Sequence, residues 1–370
     1  MPRLDLIAEQ CLAPVPGGTG RYTVRIGAGL AATAPAGWSV RSVTAWHRDV
    51  GSARIPGVRG PCRLPVGRRV LAALWERGLP PWPAGDSVQA GTPLSPTRRG
   101  VPLVATVHDV VPWTHPETLT PRGVRWHRAM IGRLAEQADA MVVPTNAVAD
   151  ALAHLFPTAA KRIHPIPHGV TALPVPADAA ERRQRLGLPD RFLMTLATIE
   201  PRKGLDVLIE ALASPAVGDL PLLVVGQPGW GGVDLVGHAQ RHGLDPARLF
   251  APGRLSDTDL AAALAGACAL VVPSRAEGFG LPVLEGMAAG VPVIHTTVPS
   301  LVEVAGGAGL AAPIGDADAL AAAVRDVISD PGRAAAMRTA GLRRAAEFSW
   351  EKSARQLWKL HLQVSGAALP

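Results

Sequence analysis

The run Val271-Val272-Pro273-Ser274-Arg275-Ala276-Glu277-Gly278-Phe279-Gly280-Leu281-Pro282-Val283-Leu284-Glu285-Gly286-Met287-Ala288-Ala289-Gly290 decides the fold of this chain. Ala269 to Val272 is uninterrupted, apolar and followed by a turn signal, the pattern of a strand buried in a parallel sheet. A loop of small and acidic residues comes next. Pro282 then stands where the first helical turn tolerates a missing N–H. The helix is expected to run to Gly290, with a further strand from Val291 to His295. Strand, loop, helix and strand in this order place Gly278 and Gly280 at the C-terminal edge of an α/β sheet, where such sheets bind ligands. The glycines admit a ligand close to the backbone, and free N–H groups at the helix start attract an anion such as a diphosphate. Carboxylates such as Glu277 and Glu285 accept paired hydroxyl hydrogen bonds, which suits a sugar or a ribose. The same residues also fit a solvated Glu277 and a Glu285 that only complements the helix dipole, because Gly-x-Gly alone is a weak signal.

Read at full length, Glu277-Gly278-Phe279-Gly280-Leu281-Pro282 through Glu285, then Ala288-Ala289-Gly290-Val291-Pro292-Val293-Ile294, resembles the donor-site signature of retaining glycosyltransferases of family 4. In that family two glutamates are separated by seven residues, as Glu277 and Glu285 are here. The resemblance implies the GT-B fold, an α/β chain of two Rossmann-like domains whose parallel sheets face each other across a cleft. It covers nearly the whole chain, most strongly from Thr198 to Glu303 and most weakly between Trp46 and Pro96.

Bulk properties agree with two ordinary domains. The 370 residues are 48% hydrophobic and 18% charged, enough apolar material for sizeable cores and too little charge for a disordered chain. No apolar run reaches the ~18–20 residues of a membrane span, and the N-terminus lacks the charged and apolar regions of a signal peptide. Cys11, Cys62 and Cys268 show no paired spacing, which points to reduced thiols, a cytoplasmic protein and no zinc site.

The net charge of +7 is unevenly placed: residues 1–180 carry 19 Lys+Arg against 11 Asp+Glu, and residues 181–370 carry 18 against 19. Ten arginines lie between Arg41 and Arg99, against Asp49, Glu76 and Asp86. An arginine-rich solvated surface without a role fits this excess. So does a patch facing an anionic acceptor or the inner face of a membrane, with Trp46, Trp75 and Trp82 nearby for interfacial contact. No nucleic-acid-binding motif accompanies the charge, so no nucleic-acid partner is expected.

In chain order, Leu4 to Ala8 reads as a strand and Glu9 onward as loop. Pro16-Gly17-Gly18-Thr19-Gly20-Arg21-Tyr22 opens a helix with a Gly-rich turn, which fits either a close approach to phosphate or a tight turn without a ligand. Trp46 to Pro96 yields no assignment beyond a short amphipathic helix over Arg69 to Arg77. Val101 to Val107 is a buried strand ending in His108-Asp109, where a histidine points into a ligand site rather than the core, and Asp109 either orients it or caps the next turn. Helices are expected over Pro121 to Ala138 and from the Thr145-Asn146 cap to Leu155, with strands at Ala140–Val143 and Arg162–Pro165. Pro174 and Pro176 mark a linker, and we place the domain boundary near residue 173. The second domain then spans 174–349, and residues 350–370 form a last helix capped by Ser349.

Strands Phe192–Ala197, Leu222–Val225 and Leu249–Ala251 follow the linker. Arg202 and Lys203 sit between the first of these and a helix from Leu205 to Ala213, where two cations and free N–H groups suit a diphosphate. Asp257-Thr258-Asp259 spells the Asp-x-Asp of metal-dependent transferases, but it precedes the apolar run Leu260 to Ala267 and fits a helix cap with an acidic first turn.

What remains is what the resemblance implies. The chain would move a hexosyl group, with a leaning to mannosyl, from a nucleoside diphosphate sugar to a glycan or lipid-linked acceptor. The anomeric configuration would be retained and no metal required. Lys203 and Arg202 would neutralise the leaving diphosphate, Glu277 would bind donor-sugar hydroxyls, and Glu285 the ribose. His108 would touch the sugar from the acceptor side, with residues 350–370 crossing back to the first domain. Gly17, Gly18, Arg254, Gly278, Phe279, Gly280 and Leu281 would complete the donor-binding set. Relatives place a further arginine where Ala197 and Thr198 stand, so which cation meets which phosphate stays open. Thr296 to Val304 resembles a loop of the family. The rivals are a glycoside phosphorylase on the same fold and a binding protein without activity.

Overall fold

The computed structural model describes residues 1–97 and 100–366; Arg98 and Arg99, which close the basic stretch, lie outside the described residues. The chain divides into two compact units. One comprises Met1–Pro116, Thr120–Gly169 and the segment from Ser349 onward; the other comprises Glu117–Leu119 and Val170–Phe348.

The first unit is built on strands β1 (Arg3–Ile7), β2 (Ser39–Trp46), β3 (Arg59–Gly67), β4 (Ser87–Ala90), β5 (Leu103–Thr106), β6 (Ala140–Val143) and β7 (Ile163–Pro165). They form one parallel sheet in the order β3-β2-β1-β4-β5-β6-β7. The second unit carries β8 (Leu193–Leu196), β9 (Leu222–Val225), β10 (Leu249–Gly253), β11 (Ala269–Val272), β12 (Val293–Thr296) and β13 (Leu310–Ala312). These are parallel too, in the order β10-β9-β8-β11-β12-β13. Both orders reverse direction once, between β1 and β4 and between β8 and β11, which leaves a crevice beyond the strand ends at those two places. Strands such as Ala140–Val143 and Leu222–Val225 are buried at every residue, because helices cover both faces of each sheet. Each sheet accordingly has an apolar cluster on either side.

Caps define the helices. Thr120 and Thr145 accept hydrogen bonds from Gly123 N and Val148 N at the starts of Pro121–Gln137 and Asn146–Leu155. Ser256, Asp316, Asp330 and Ser349 do the same for helices Asp257–Gly266, Ala317–Ser329, Pro331–Ala345 and Trp350–Val364. Among the described residues no helix is long and apolar enough to cross a membrane.

Several expectations are corrected. Glu9 does not begin an open loop. It lies in a short turn of 3-10 helix, Glu9–Leu12, and is 2% exposed; its carboxylate accepts from Ala45 N at 2.8 Å and pairs with His47 Nε2 at 2.8 Å. The unassigned stretch Trp46 to Pro96 holds β3 and β4, and its helix runs Arg68–Trp75. Trp75 is fully buried, its indole donating to the Pro81 carbonyl, so it takes no part in an interfacial surface. Arg41 is likewise withdrawn from the basic patch by two hydrogen bonds to the buried carboxylate of Asp5, at 3.0 and 2.7 Å. Thr296 to Val304 is not all loop, because Pro299–Ala305 is helical.

The last helix is part of the first unit's core. Leu357, Trp358 and Leu360 are buried in it, and the Trp358 indole donates to the Leu30 carbonyl. His361, fully buried, has both ring nitrogens engaged: Nδ1 with Ser87 Oγ at 2.8 Å and Nε2 with Gln89 Oε1 at 3.0 Å. Gln89 donates in turn to Thr106 Oγ1, which also meets the Tyr22 hydroxyl at 3.1 Å. Burial pushes the His361 pKa down to about 3. The unfolded chain therefore takes up this proton near pH 6.5 and the native state does not, so the stabilisation is complete above about pH 6.5 and is lost as pH falls toward 3. Urea unfolding across that window should show His361 contributing a loss of about 1.4 kcal/mol per pH unit, and His361→Leu should flatten the dependence by about one proton.

Candidate functional site

At the switch point of the second sheet, the loops after β8 and β11 meet. The Glu277 carboxylate is their common centre. Oε1 lies 2.5 Å from Lys203 Nζ and accepts from Ser274 Oγ at 2.8 Å, while Oε2 accepts from Arg202 Nη1 at 3.1 Å. Its side chain is 8% exposed, against 14% for Lys203 and 19% for Arg202. Burial alone would raise the Glu277 pKa; the Lys203 ammonium and the Arg202 guanidinium outweigh it and hold the carboxyl down at about 2. A solvated Glu277 is thereby excluded. The two cations expected to await a diphosphate are already turned to a carboxylate, and Arg202 reaches a second one, Glu200 Oε1, at 2.7 Å.

The surrounding loops are tied to each other as firmly. Arg275, in the centre of the β11 loop, makes two hydrogen bonds to Asp206 at 2.7 and 2.6 Å, donates through Nη1 to the Pro201 carbonyl, and sends its backbone N–H to Arg202 O at 2.8 Å. The partnership moves the two pKa values apart, Arg275 up and Asp206 down. Arg202 donates also to Ala276 O, Ser300 Oγ to Glu277 O, and Thr296 Oγ1 to Ser274 O. Gly204 sits at φ +65°, where a Cβ would stand 2.1 Å from the Pro273 carbonyl oxygen, so only glycine lets the loops come this close. Gly280, at φ +91°, starts the helix Leu281–Ala288, and a Cβ there would strike Leu301. Gly278 is buried, Leu281 and Glu285 are half-buried, and Glu285 lies on that helix.

Two further residues expected in the donor-binding set differ in their exposure. Phe279 is 5% exposed and packs edge-on against Phe348, so it belongs to the apolar core beneath the loop. Arg254 is exposed at the end of β10. Asp259, the second aspartate of Asp257-Thr258-Asp259, accepts from Ser256 and from Arg182 at 2.8 Å, which accounts for the run as a cap and an ion pair.

In the first unit, Gly17 and Gly18 are exposed at the first positions of the helix Gly17–Ala32, with open space where a Gly17 side chain would be. His108 is half-buried beyond β5. Its Nε2 lies 2.8 Å from the Gly91 carbonyl, which only accepts, so this nitrogen carries the proton and Nδ1 holds the lone pair. Asp109 caps the following turn through Val111 N rather than orienting the ring. Tyr22 meets His108 edge-on at 4.9 Å, and the fully enclosed His168 lies 5.4 Å from it. Burial lowers the pKa of both imidazoles, that of His168 further because His108 adjoins it. His168 stands in Pro167-His168-Gly169-Val170, a run that resembles the family's exit from the first domain, and Arg275 in the opening loop; neither was expected in the site, because their partners come from distant segments.

The family model described as Glycosyl transferases group 1 matches residues 178–344, and that of Glycosyltransferase Family 4 matches residues 16–172. O-antigen chain mannosyltransferase B of Escherichia coli is 30% identical over 261 residues, 68% of either chain. The chain belongs to glycosyltransferase family 4. Its fold is GT-B, and it is a glycosyltransferase. Sucrose-phosphate synthase from Thermosynechococcus elongatus superposes with a TM-score of 0.76 over the whole of both chains at 24% identity. Anabaena HepE, in complex with UDP-glucose, superposes with a TM-score of 0.73 at 19% identity, over 97% of this chain and 98% of the neighbour.

The ion cluster makes a direct prediction. Glu277→Gln leaves Lys203 and Arg202 enclosed without their shared carboxylate and should cost about 3 kcal/mol, read as a lower urea midpoint at pH 7.

Proposed function

We propose that this glycosyltransferase moves a hexosyl group, mannosyl by preference, from a nucleoside diphosphate sugar to a glycan or lipid-linked acceptor, with retention and without a metal. The observation that carries the proposal is the enclosed cluster of Lys203, Arg202 and Glu277 at the switch point of the second sheet. Two cations held at a strand end, next to a helix start, are the equipment for neutralising a diphosphate as it departs. Glu277, kept ionised, aims those cations, and its Oε2 has a second lone pair, beside the bond from Arg202, for a sugar hydroxyl. In the step itself, the bond from the anomeric carbon to the diphosphate oxygen breaks and the acceptor hydroxyl attacks from the same face. Its proton passes to the leaving phosphate oxygen. His108, neutral and with Nδ1 free of the Gly91 bond, has an acceptor lone pair to offer a sugar hydroxyl. The mannosyl preference rests on the E. coli O-antigen mannosyltransferase, and the nucleotide donor gains support from the UDP-glucose complex of HepE.

Thermal unfolding tests the donor class. One of GDP, UDP or ADP, at ~100 times its dissociation constant, should stabilise the protein by about 2.7 kcal/mol, a rise of several degrees that EDTA leaves intact. Lys203→Ala should abolish that rise and lower transfer by ~10²–10³-fold. Stabilisation by inorganic phosphate alone would replace this reading with the phosphorylase.

A membrane-bound acceptor is favoured by one further observation. Trp46 and Trp82 are 56% and 40% exposed, with Val70 and Leu79 also exposed and Arg48, Arg54, Arg63, Arg69 and Arg77 on the same unit. The protein should sediment with vesicles containing anionic lipid and not with neutral ones. Trp46→Ala, Arg63→Glu and added salt should each weaken the association.

A further inference from the structure

We propose that Trp230 is the platform on which the nucleobase of the donor stacks, an inference that rests on the nucleotide-sugar reading above. Trp230 is the sole tryptophan between Val170 and Phe348, and it is 42% exposed. The other aromatic side chains of that segment are accounted for by packing: Phe192 and Phe279 are buried, and Phe250 and Phe348 lie half-buried against the same core. An exposed indole in a unit that packs its phenylalanine rings into the core has a face available to a ligand.

Its position in the sheet indicates which ligand part it meets. Trp230 lies in the loop after β9, and β9 runs between β8 and β10. The β8 loop holds Arg202 and Lys203, whereas the β11 loop with Glu277 lies on the far side of β8. A donor with its diphosphate at the β8 loop and its hexose toward Glu277 therefore extends its nucleoside toward β9 and β10. The Trp230 loop is fastened to the cation-bearing loop along its length. Ile199 N donates to Gln227 O, Gly229 N donates to Ile199 O, and a Cβ on Gly231 would meet the Pro201 ring at 2.6 Å. Gly226 N donates to Gly253 O, which ties the same loop to the end of β10. Trp230 is thus held next to the expected phosphate site, with one glycine on each side of it.

Isothermal titration of the full chain with GDP, UDP, ADP and inorganic diphosphate tests the assignment, using wild type, Trp230→Ala and Trp230→Phe. A base stacked on indole loses about tenfold in affinity when the ring is removed. The nucleoside diphosphate that wild type prefers should bind about tenfold more weakly to Trp230→Ala and within about threefold to Trp230→Phe, with inorganic diphosphate unchanged in both. Unchanged nucleotide affinity in Trp230→Ala overturns the proposal, and so does an equal loss for inorganic diphosphate, which would make the residue a scaffold of the loop. Nucleotide binding that depends on Lys203 but not on Trp230 sinks this inference alone. A wild-type protein that binds inorganic diphosphate and no nucleoside diphosphate more tightly overturns the donor reading with it.

Discussion

The carboxylate of Glu277 is the interaction on which the second unit's functional end depends. A charge enclosed this far is costly unless its lone pairs are met, and here a lysine, an arginine and a serine meet them. The consequence is geometric as much as energetic. Lys203 and Arg202 belong to the loop after β8, Glu277 and Ser274 to the loop after β11, so one ionised group sets the separation of two loops from different strands. Arg275 and Asp206 repeat the arrangement a few residues away. With both pairs in place the loops have little freedom, and the cations are presented in a fixed direction before any ligand arrives.

Much of this was legible in the sequence, and the part that was not has a physical reason. Ala140–Val143, Leu222–Val225 and Ala269–Val272 appear in the structure with the bounds expected from their apolar runs, because a central parallel strand is buried on both faces and must read that way. β3 was illegible for the opposite reason. It is an edge strand paired on one side only, and its sequence, Arg59 to Gly67, is arginine, proline and glycine between a few apolar residues. Pro61 and Pro65 are acceptable there because an edge strand has N–H groups that need no partner within the sheet.

The site divides in the same way. Lys203, Arg202 and Glu277 stood out as residue types in the right places, yet the salt bridges joining them span more than seventy residues and leave no local pattern. Phe279, flanked by Gly278 and Gly280, looked like part of a ligand loop. Its true surroundings depend on Phe348, which no reading of the motif brings near. Glu9 and Arg41 misled for a related reason: their partners, His47 just beyond β2 and Asp5 on β1, are distant in sequence.

The helix Trp350–Val364 has a consequence for how the protein is made. Leu357, Trp358 and His361 complete the core of a unit whose first strand is Arg3–Ile7, while nearly all of the second unit lies in one uninterrupted segment between them. As the chain leaves the ribosome from its N-terminus, the unit begun first is the one finished last. Until residue 361 emerges, the slot for Trp358 and the polar groups of Ser87 and Gln89 face water, whereas the second unit can already close around its own core. The order of synthesis and the order of completion are therefore opposite. The early sheet must wait, with an apolar face uncovered, through the translation of the entire second unit.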